Sequence, residues 1–113
     1  MAKTREELSS LKCVPCRGGI PPMEQEKIKV MLDVVPGWTK TQGKIDKIEK
    51  IFKFKDFNKA MMFVNKVAEI AEEQGHHPDI LIQWNKVTLI LWTHAIKGLH
   101  DNDFILAAKI DEL

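Results

Sequence analysis

The sequence predicts an α+β fold with a four-stranded antiparallel sheet and helices packed on one face, in the order α-β-β-α-β-β-α. Three observations predict this class. A long stretch between Phe57 and Ala71 carries apolar residues at helical spacing and divides the chain. Segments rich in apolar and β-branched residues precede and follow it in pairs. Shorter helical patterns lie near both ends, which completes the order.

Length and charge limit the possible classes of protein. The 113 residues are enough for one domain with a modest core. The 17 basic and 16 acidic residues are interspersed, so no basic stripe indicates nucleic-acid binding. The amino terminus lacks the apolar region of a signal peptide, and no apolar run approaches the roughly 18 residues of a membrane span. We therefore expect a soluble, cytoplasmic protein.

Residues 1–22 differ in composition from the domain expected over 23–113. The stretch from Leu11 to Pro22 holds three prolines, two glycines and both cysteines, which predicts an irregular N-terminal arm. The pair Cys13-x-x-Cys16 has two functional interpretations. A tetrahedral metal site needs two further ligands, and a redox dithiol normally follows a strand and opens a helix. Neither context is evident here, so we expect a structural arm and no metal.

The first half of the domain reads as a helix followed by two short strands. The pattern predicts a helix over Met23 to Leu32, which Pro36-Gly37 ends. A short segment from Trp38 to Lys40 follows, and Gln42-Gly43 turns the chain. Ile48 to Lys55 alternates between apolar and polar residues, as expected of a half-buried strand.

The long central helix has recognisable signals at both ends. Asp56 is a good N-cap residue, since its carboxylate can accept a hydrogen bond from the first turn. Gly75 is the expected C-cap, because glycine adopts left-handed backbone angles without steric cost. The helix should therefore end directly before His76.

A hairpin is predicted after this helix. The strands Ile80 to Trp84 and Val87 to Thr93 flank Asn85-Lys86, and asparagine tolerates the positive φ that a two-residue turn requires. This turn would place Trp84 opposite Val87. The next residues along the chain, 95–100, are expected to form a loop.

The predicted register gathers three of the four histidines. Extended along the strands, it places His77 opposite His94, and directly opposed residues have Cβ atoms about 4.5–5.5 Å apart. His76 would lie beside this pair. Since buried polar groups need partners, such a cluster indicates a proton-transfer site. His100 is expected to be a surface residue.

A last helix is predicted over Phe104 to Leu113, opened by Asp101-Asn102-Asp103. Acidic residues in a first helical turn interact favourably with the helix dipole. Capping alone can therefore explain Asp101 and Asp103, and a functional role for Asp103 stays an alternative.

The sequence resembles the pterin-4a-carbinolamine dehydratases over about residues 23–113. The resemblance depends on a histidine pair with proline, a downstream histidine and a later aspartate, together with shorter matches: Gly75-His76-His77-Pro78, Trp84-Asn85-Lys86-Val87, Thr93-His94, Asp103, Gly37-Trp38 and Phe52-Lys53-Phe54-Lys55-Asp56-Phe57. It implies an enzyme that removes water from 4a-hydroxytetrahydropterin to give quinonoid dihydropterin. This step recycles the tetrahydrobiopterin cofactor of aromatic amino acid hydroxylases.

The resemblance further implies that no metal or added cofactor is needed and that the chain forms homodimers or homotetramers. Animal members also serve as dimerisation partners of a homeodomain transcription factor. Functional coupling to an aromatic amino acid hydroxylase is implied, and binding to nucleic acid or membranes is not.

The same resemblance assigns roles to residues. His76, His77 and His94 are the implied catalytic residues, with His76 and His94 as the proton-transfer pair. Histidine suits both directions of transfer because its unperturbed pKa is about 6.5. The implied substrate-binding residues are Glu72, Pro78, Thr93 and Asp103. Asp103 would orient His94, and Glu72 with the helix dipole would favour the charged form of His76.

Three alternatives stay open. The chain could be a non-catalytic dimerisation or coactivator scaffold. It could bind a metal through Cys13, Cys16 and the histidine cluster. It could also act on a different reduced pterin, including one linked to molybdenum cofactor.

Overall fold

The computed structural model describes residues 4–15 and 18–113. The described residues form four α-helices and four strands, followed along the chain in this order: α1 (Arg5–Ser9), α2 (Gln25–Val34), β1 (Thr39–Lys40), β2 (Ile48–Lys53), α3 (Phe57–Gln74), β3 (Asp79–Gln83), β4 (Lys86–Leu91) and α4 (Asp101–Asp111). A 3₁₀ turn, His94–Ile96, lies between β4 and α4. The four strands form one antiparallel sheet in the order β1-β2-β4-β3. The predicted α+β class is confirmed, with α1 as an additional helix.

One face of the sheet forms the core. Strand residues of this face are fully buried beside α3 and α4, and the central members of the cluster are Ile48, Val87, Leu89, Leu91, Val67 and Phe104. The opposite face is open in this chain: Ile51 and Leu81 are 55% and 50% exposed. None of the helices in the described ranges combines the length and apolar character that a membrane crossing requires.

We expected an irregular arm over residues 1–22, but part of it is helical. It begins with α1, whose N-cap Thr4 accepts a hydrogen bond through Oγ1 from the Glu7 N–H at 3.1 Å. Leu8 is only 1% exposed and joins the core, where α1 packs against α4. One buried leucine therefore explains why a helix forms in this short polar stretch. Cys16 lies outside the described residues.

Both caps of the long helix are confirmed. Asp56 Oδ1 accepts a hydrogen bond from the Lys59 N–H at 2.8 Å. Gly75 is left-handed, with φ 65° and ψ 27°. Its N–H donates to the Glu72 carbonyl and the His76 N–H donates to the Ala71 carbonyl, which together form a Schellman motif. The end of α3 thus fixes the backbone that carries the first histidine.

The predicted hairpin register is wrong, because the turn lies one residue earlier in the chain than we expected. Gln83 pairs with Lys86 and Ile82 with Val87, so the turn residues are Trp84 and Asn85. Trp84, not Asn85, has the positive φ of 53°, and its side chain is 69% exposed. Pairing ends at Asp79 opposite Ile90, well before the histidines.

The reason for this shift lies in the neighbouring strand. The Asn85 carbonyl accepts a hydrogen bond from the Phe54 N–H at 2.8 Å, and its side-chain amide donates to the Phe54 carbonyl at 3.0 Å. Asn85 is thereby tied to the end of β2, and the turn occurs one residue earlier. Because cross-strand partners move by two residues, each side chain keeps its face of the sheet. The predicted opposition of His77 and His94 is consequently absent.

Replacing Gly75 tests the C-cap. No atom lies within 4 Å of a Cβ built there, so Gly75→Ala introduces only the strain of a left-handed non-glycine residue. We expect the free energy of unfolding to fall by about 1–2 kcal/mol in denaturant titrations. Gly75→Asn is the matched control, since asparagine tolerates this conformation, and it should lose less. Equal losses in the two variants would contradict the conformational explanation.

Candidate active site

The three predicted histidines line one cavity of about 330 Å³. The cavity lies where the end of α3, the segment after β4 and the start of α4 meet, and its wall consists of Val14, Gly75, His76, His77, Trp92, Thr93, His94, Ala95 and Asn102. The volume is at the lower end of the range for small-molecule sites, roughly 300–1,000 Å³. The histidines meet because chain segments converge here, and not through cross-strand pairing.

A completely buried carboxylate lies behind this wall. Asp103 has no exposed side-chain surface, and its Oδ1 is 2.6 Å from His76 Nε2. Its Oδ2 accepts two hydrogen bonds, from Thr93 Oγ1 at 2.9 Å and from the His100 N–H at 3.0 Å. A buried charge is tolerated only when it is paired and hydrogen-bonded. Asp103 meets this requirement with three partners.

Asp103 combines the two roles that we treated as alternatives. Its contact with the His100 N–H caps α4, while His100 Nδ1 accepts a hydrogen bond from the Asn102 N–H at 3.0 Å. His100 is thus the N-cap of α4, whereas we expected a simple surface residue. The expectation that Asp103 orients His94 is also wrong, because its carboxylate contacts His76.

The contact with Asp103 selects one tautomer of neutral His76. The carboxylate is an acceptor, so Nε2 carries the proton and donates it to Oδ1. Nδ1 is then the nitrogen with a free lone pair. The side chain is 12% exposed, which leaves part of the ring accessible from the cavity. A carboxylate in this position fixes the tautomer and the orientation of the imidazole ring.

Glu72 contacts a different histidine from the one we expected. Its Oε2 lies 2.6 Å from His77 Nε2, and the two side chains are 79% and 60% exposed. A pair that faces solvent in this way contributes little to stability. Neither Glu72 nor Pro78 belongs to the cavity wall. Glu72 is linked to the wall by its contact with His77, and Pro78 follows His77 in the chain.

Trp92 is a site residue that the sequence analysis missed. Its indole stacks on the His94 imidazole with ring centroids 3.8 Å apart and an interplanar angle of 24°. Its Nε1 donates to Asp79 Oδ2 at 3.4 Å, and Lys47 Nζ lies 4.5 Å from the ring centroid. The signal was present, since residues two apart on an extended segment point to the same side. Trp92 therefore connects the segment after His77 with His94.

The His94 ring is otherwise available to a ligand. No other residue in the described ranges hydrogen-bonds to either of its ring nitrogens, and the residue is exposed at the cavity. His94 lies at the start of the 3₁₀ turn rather than at the end of a strand. Thr93 before it is 3% exposed and points its hydroxyl at Asp103. Thr93 thus hydrogen-bonds to the buried carboxylate, while the adjacent His94 faces the open cavity.

Cys13 does not have the properties of a reactive thiol or a metal ligand. Burial raises the pKa of the Cys13 thiol to about 11, so the thiol is protonated at neutral pH. In the described part of the chain, no three His, Cys, Asp or Glu side chains are grouped so that they could hold a metal ion. Cys16, the other cysteine of the Cys-x-x-Cys motif, lies outside the described residues.

The chain resembles known proteins over most of its length. The family model described as "Pterin 4 alpha carbinolamine dehydratase" matches residues 21–113. The chain is similar to a transcriptional coactivator/pterin dehydratase from Brucella melitensis, with 32% identity and a TM-score of 0.76 over 80% of this chain and 96% of the other. It is also similar to a pterin dehydratase-like protein identified as a RuBisCO assembly factor in the alpha-carboxysome, with 26% identity and a TM-score of 0.59 over 68% of this chain and 88% of the other.

Removing the Thr93 hydroxyl tests the buried network. Thr93→Val keeps the shape but leaves Asp103 Oδ2 without one of its donors, so we expect a loss of about 1.5–3 kcal/mol in the free energy of unfolding. Thr93→Ser retains a hydroxyl and should recover most of that loss. Denaturant titration measures both variants, and a Thr93→Val variant as stable as the wild type would contradict the network.

Proposed function

This chain belongs to the pterin 4 alpha carbinolamine dehydratase family, and from that premise we propose that it removes water from a 4a-hydroxytetrahydropterin. One observation carries the proposal: three histidines line a single cavity, and one of them is held by a fully buried carboxylate. The product is the quinonoid dihydropterin, so the reaction belongs to the recycling of tetrahydrobiopterin or a related tetrahydropterin.

The reaction requires two proton transfers, one from the substrate to the protein and one from the protein to the leaving hydroxyl group. The bond between C4a and the hydroxyl oxygen breaks, the proton on N5 is lost, and a double bond forms between N5 and C4a. A proton delivered to the leaving oxygen completes the water molecule. The oxidation state does not change, so the reaction needs no redox cofactor. Two imidazoles can supply both transfers near neutral pH.

We assign His76 as the base. Its Nε2 is occupied by Asp103, which leaves the Nδ1 lone pair to accept the proton from N5. Asp103 is a positioning residue, since it acts through His76 and has no exposed surface. Hydrogen bonding to a buried carboxylate also stabilises the positive charge that His76 acquires, as the aspartate of a catalytic triad does.

His94 is the complementary acid in this assignment. No described residue occupies its ring nitrogens, and the Trp92 stack limits rotation of the ring. His77 holds the pterin beside this pair, through a ring whose Nε2 is paired with Glu72. The Thr93 hydroxyl donates its hydrogen bond to Asp103, so it can contact a pterin only as an acceptor. Pro78 shapes the segment that carries His77.

The same fold offers a surface for assembly, and we propose a homodimer or homotetramer. β3 is an edge strand that pairs only with β4. The open face of the sheet carries Ile51 and Leu81, each at least half exposed. Such edges and apolar patches are normally covered in stable proteins. A coupled aromatic amino acid hydroxylase would use the recycled cofactor.

A scaffold function is the second candidate. A relative named as a RuBisCO assembly factor shares this fold at a TM-score of 0.59, and the open sheet face could contact a protein partner. A scaffold would still need Asp103 to hold the chain segments together, but it has no need for His77 and His94, which are exposed at the same cavity as His76. We therefore favour the enzyme, and an activity assay separates the two.

Stopped-flow dehydration of a 4a-hydroxytetrahydropterin tests the function. The wild type should accelerate the reaction. The double variant His77→Ala, His94→Ala should lose at least about 10²-fold in kcat, because each positioned acid or base contributes roughly 10²–10⁴-fold. Circular dichroism checks that the fold persists.

His100→Asn is the matched control for this assay. It removes the one histidine outside the cavity wall, and asparagine is an equally good N-cap residue, so most activity should survive. A folded wild type that gives no acceleration would sink the dehydratase and leave the scaffold.

A further inference from the structure

The N-terminal arm is attached along the whole length of α4. At one end, Ser9 Oγ donates to Glu112 Oε1 at 2.7 Å, and Lys109 Nζ donates to the Ser9 carbonyl at 2.7 Å. Leu8 anchors this end in the core. The arm lies outside the region that the family model matches, which begins at residue 21. These contacts are therefore additions to the family domain and hold the arm in place.

The other end of the arm is fixed at the cavity by two amide side chains. The Asn102 amide donates to the Val14 carbonyl at 2.6 Å and accepts from the Val14 N–H at 2.9 Å. The adjacent Cys13 N–H donates to Gln74 Oε1 at 2.9 Å. Asn102 is 2% exposed, so its amide is committed to this contact. A two-point hydrogen bond of this kind sets both the position and the direction of the backbone.

This attachment places Val14 in the cavity wall. Val14 is 56% exposed, yet it lines the same cavity as His76, His77 and His94. Gly18 packs against Ala95, another wall residue: an added Cβ at Gly18 would lie 3.1 Å from the carbonyl oxygen of Ala95. The φ of +81° at Gly18 likewise favours glycine. Val14 therefore lines the cavity directly, and Gly18 contacts the wall residue Ala95.

We propose that Val14 contacts the bound pterin and that the arm restricts the size of the substituent that the pterin carries. The inference rests on the proposed function and goes beyond it by naming a specificity-determining residue. Among the described wall residues, Val14 is the one purely aliphatic branched side chain, and the others are polar, aromatic or small. It cannot take part in proton transfer. Its contribution is to binding through apolar contact and shape.

The chemistry predicts a change in binding rather than in the chemical step. Val14→Ala removes two carbons from the wall, so a substrate that contacts them should show a KM raised roughly three- to tenfold with kcat nearly unchanged. Val14→Phe narrows the cavity. It should lower kcat/KM more for a pterin with a dihydroxypropyl group than for one with a methyl group at the same ring position.

Val30→Ala is the matched control. Val30 lies on α2 and is 48% exposed, so the same two carbons are removed at similar exposure and away from the cavity wall. Full-length wild type, Val14→Ala, Val14→Phe and Val30→Ala are assayed by stopped flow on the methyl and dihydroxypropyl carbinolamines. Val14 and Val30 are both about half exposed, so these substitutions should not affect folding, and circular dichroism verifies this.

The outcomes separate the inference from the function on which it rests. An active wild type with a selective change in the Val14 variants supports both. An active wild type with Val14 variants that match Val30→Ala overturns the role of Val14 and leaves the dehydratase intact. If the wild type is inactive, fluorescence titration with 7,8-dihydrobiopterin is applied to the same variants. If Val14→Ala binds the pterin more weakly and Val30→Ala does not, the contact between Val14 and the pterin is supported. If Val14→Ala binds as the wild type does, or if no variant binds, the contact is overturned.

Discussion

The buried carboxylate of Asp103 is the constraint on which the site depends. It has no exposed surface and has partners from three parts of the chain: Thr93 after β4, His76 after α3 and the His100 N–H at the start of α4. Breaking a buried charged pair by removing one partner is strongly destabilising, because the remaining charge keeps its desolvation cost. The three segments are therefore held together by one requirement, that Asp103 stay paired. The catalytic proposal uses the same contact to orient His76.

The rest of the site is built from residues at the ends of helices and strands. The Schellman motif at Gly75 fixes the backbone at His76, the capping contacts at His100 fix α4, and the 3₁₀ turn begins at His94. The Trp92 stack and the amide clamp of Asn102 on Val14 then complete the wall. The helices and strands fix the backbone, and the histidines lie where these elements end. This division explains how a small domain can present several histidines without burying them.

Local signals predicted much of this fold, and long-range contacts account for the errors. Asp56 and Gly75 predicted the ends of α3 because caps act within a few residues. The hairpin register was wrong because Asn85 is tied to Phe54 on another strand, which no local pattern reveals. The histidines were correctly grouped for an incorrect reason, since the predicted pairing of His77 with His94 does not exist. The place of Val14 was not predictable, because its partner Asn102 is 88 residues away.

A long-range ¹H–¹⁵N correlation spectrum of the histidine rings tests the central claim most directly. It is recorded for the free protein at neutral pH and again with 7,8-dihydropterin. The account predicts that neutral His76 carries its proton on Nε2 and that the pterin perturbs the rings of His76 and His94 while leaving His100 almost unchanged. A proton on Nδ1 of neutral His76, or a pterin that leaves the rings of His76 and His94 unaffected, would contradict it.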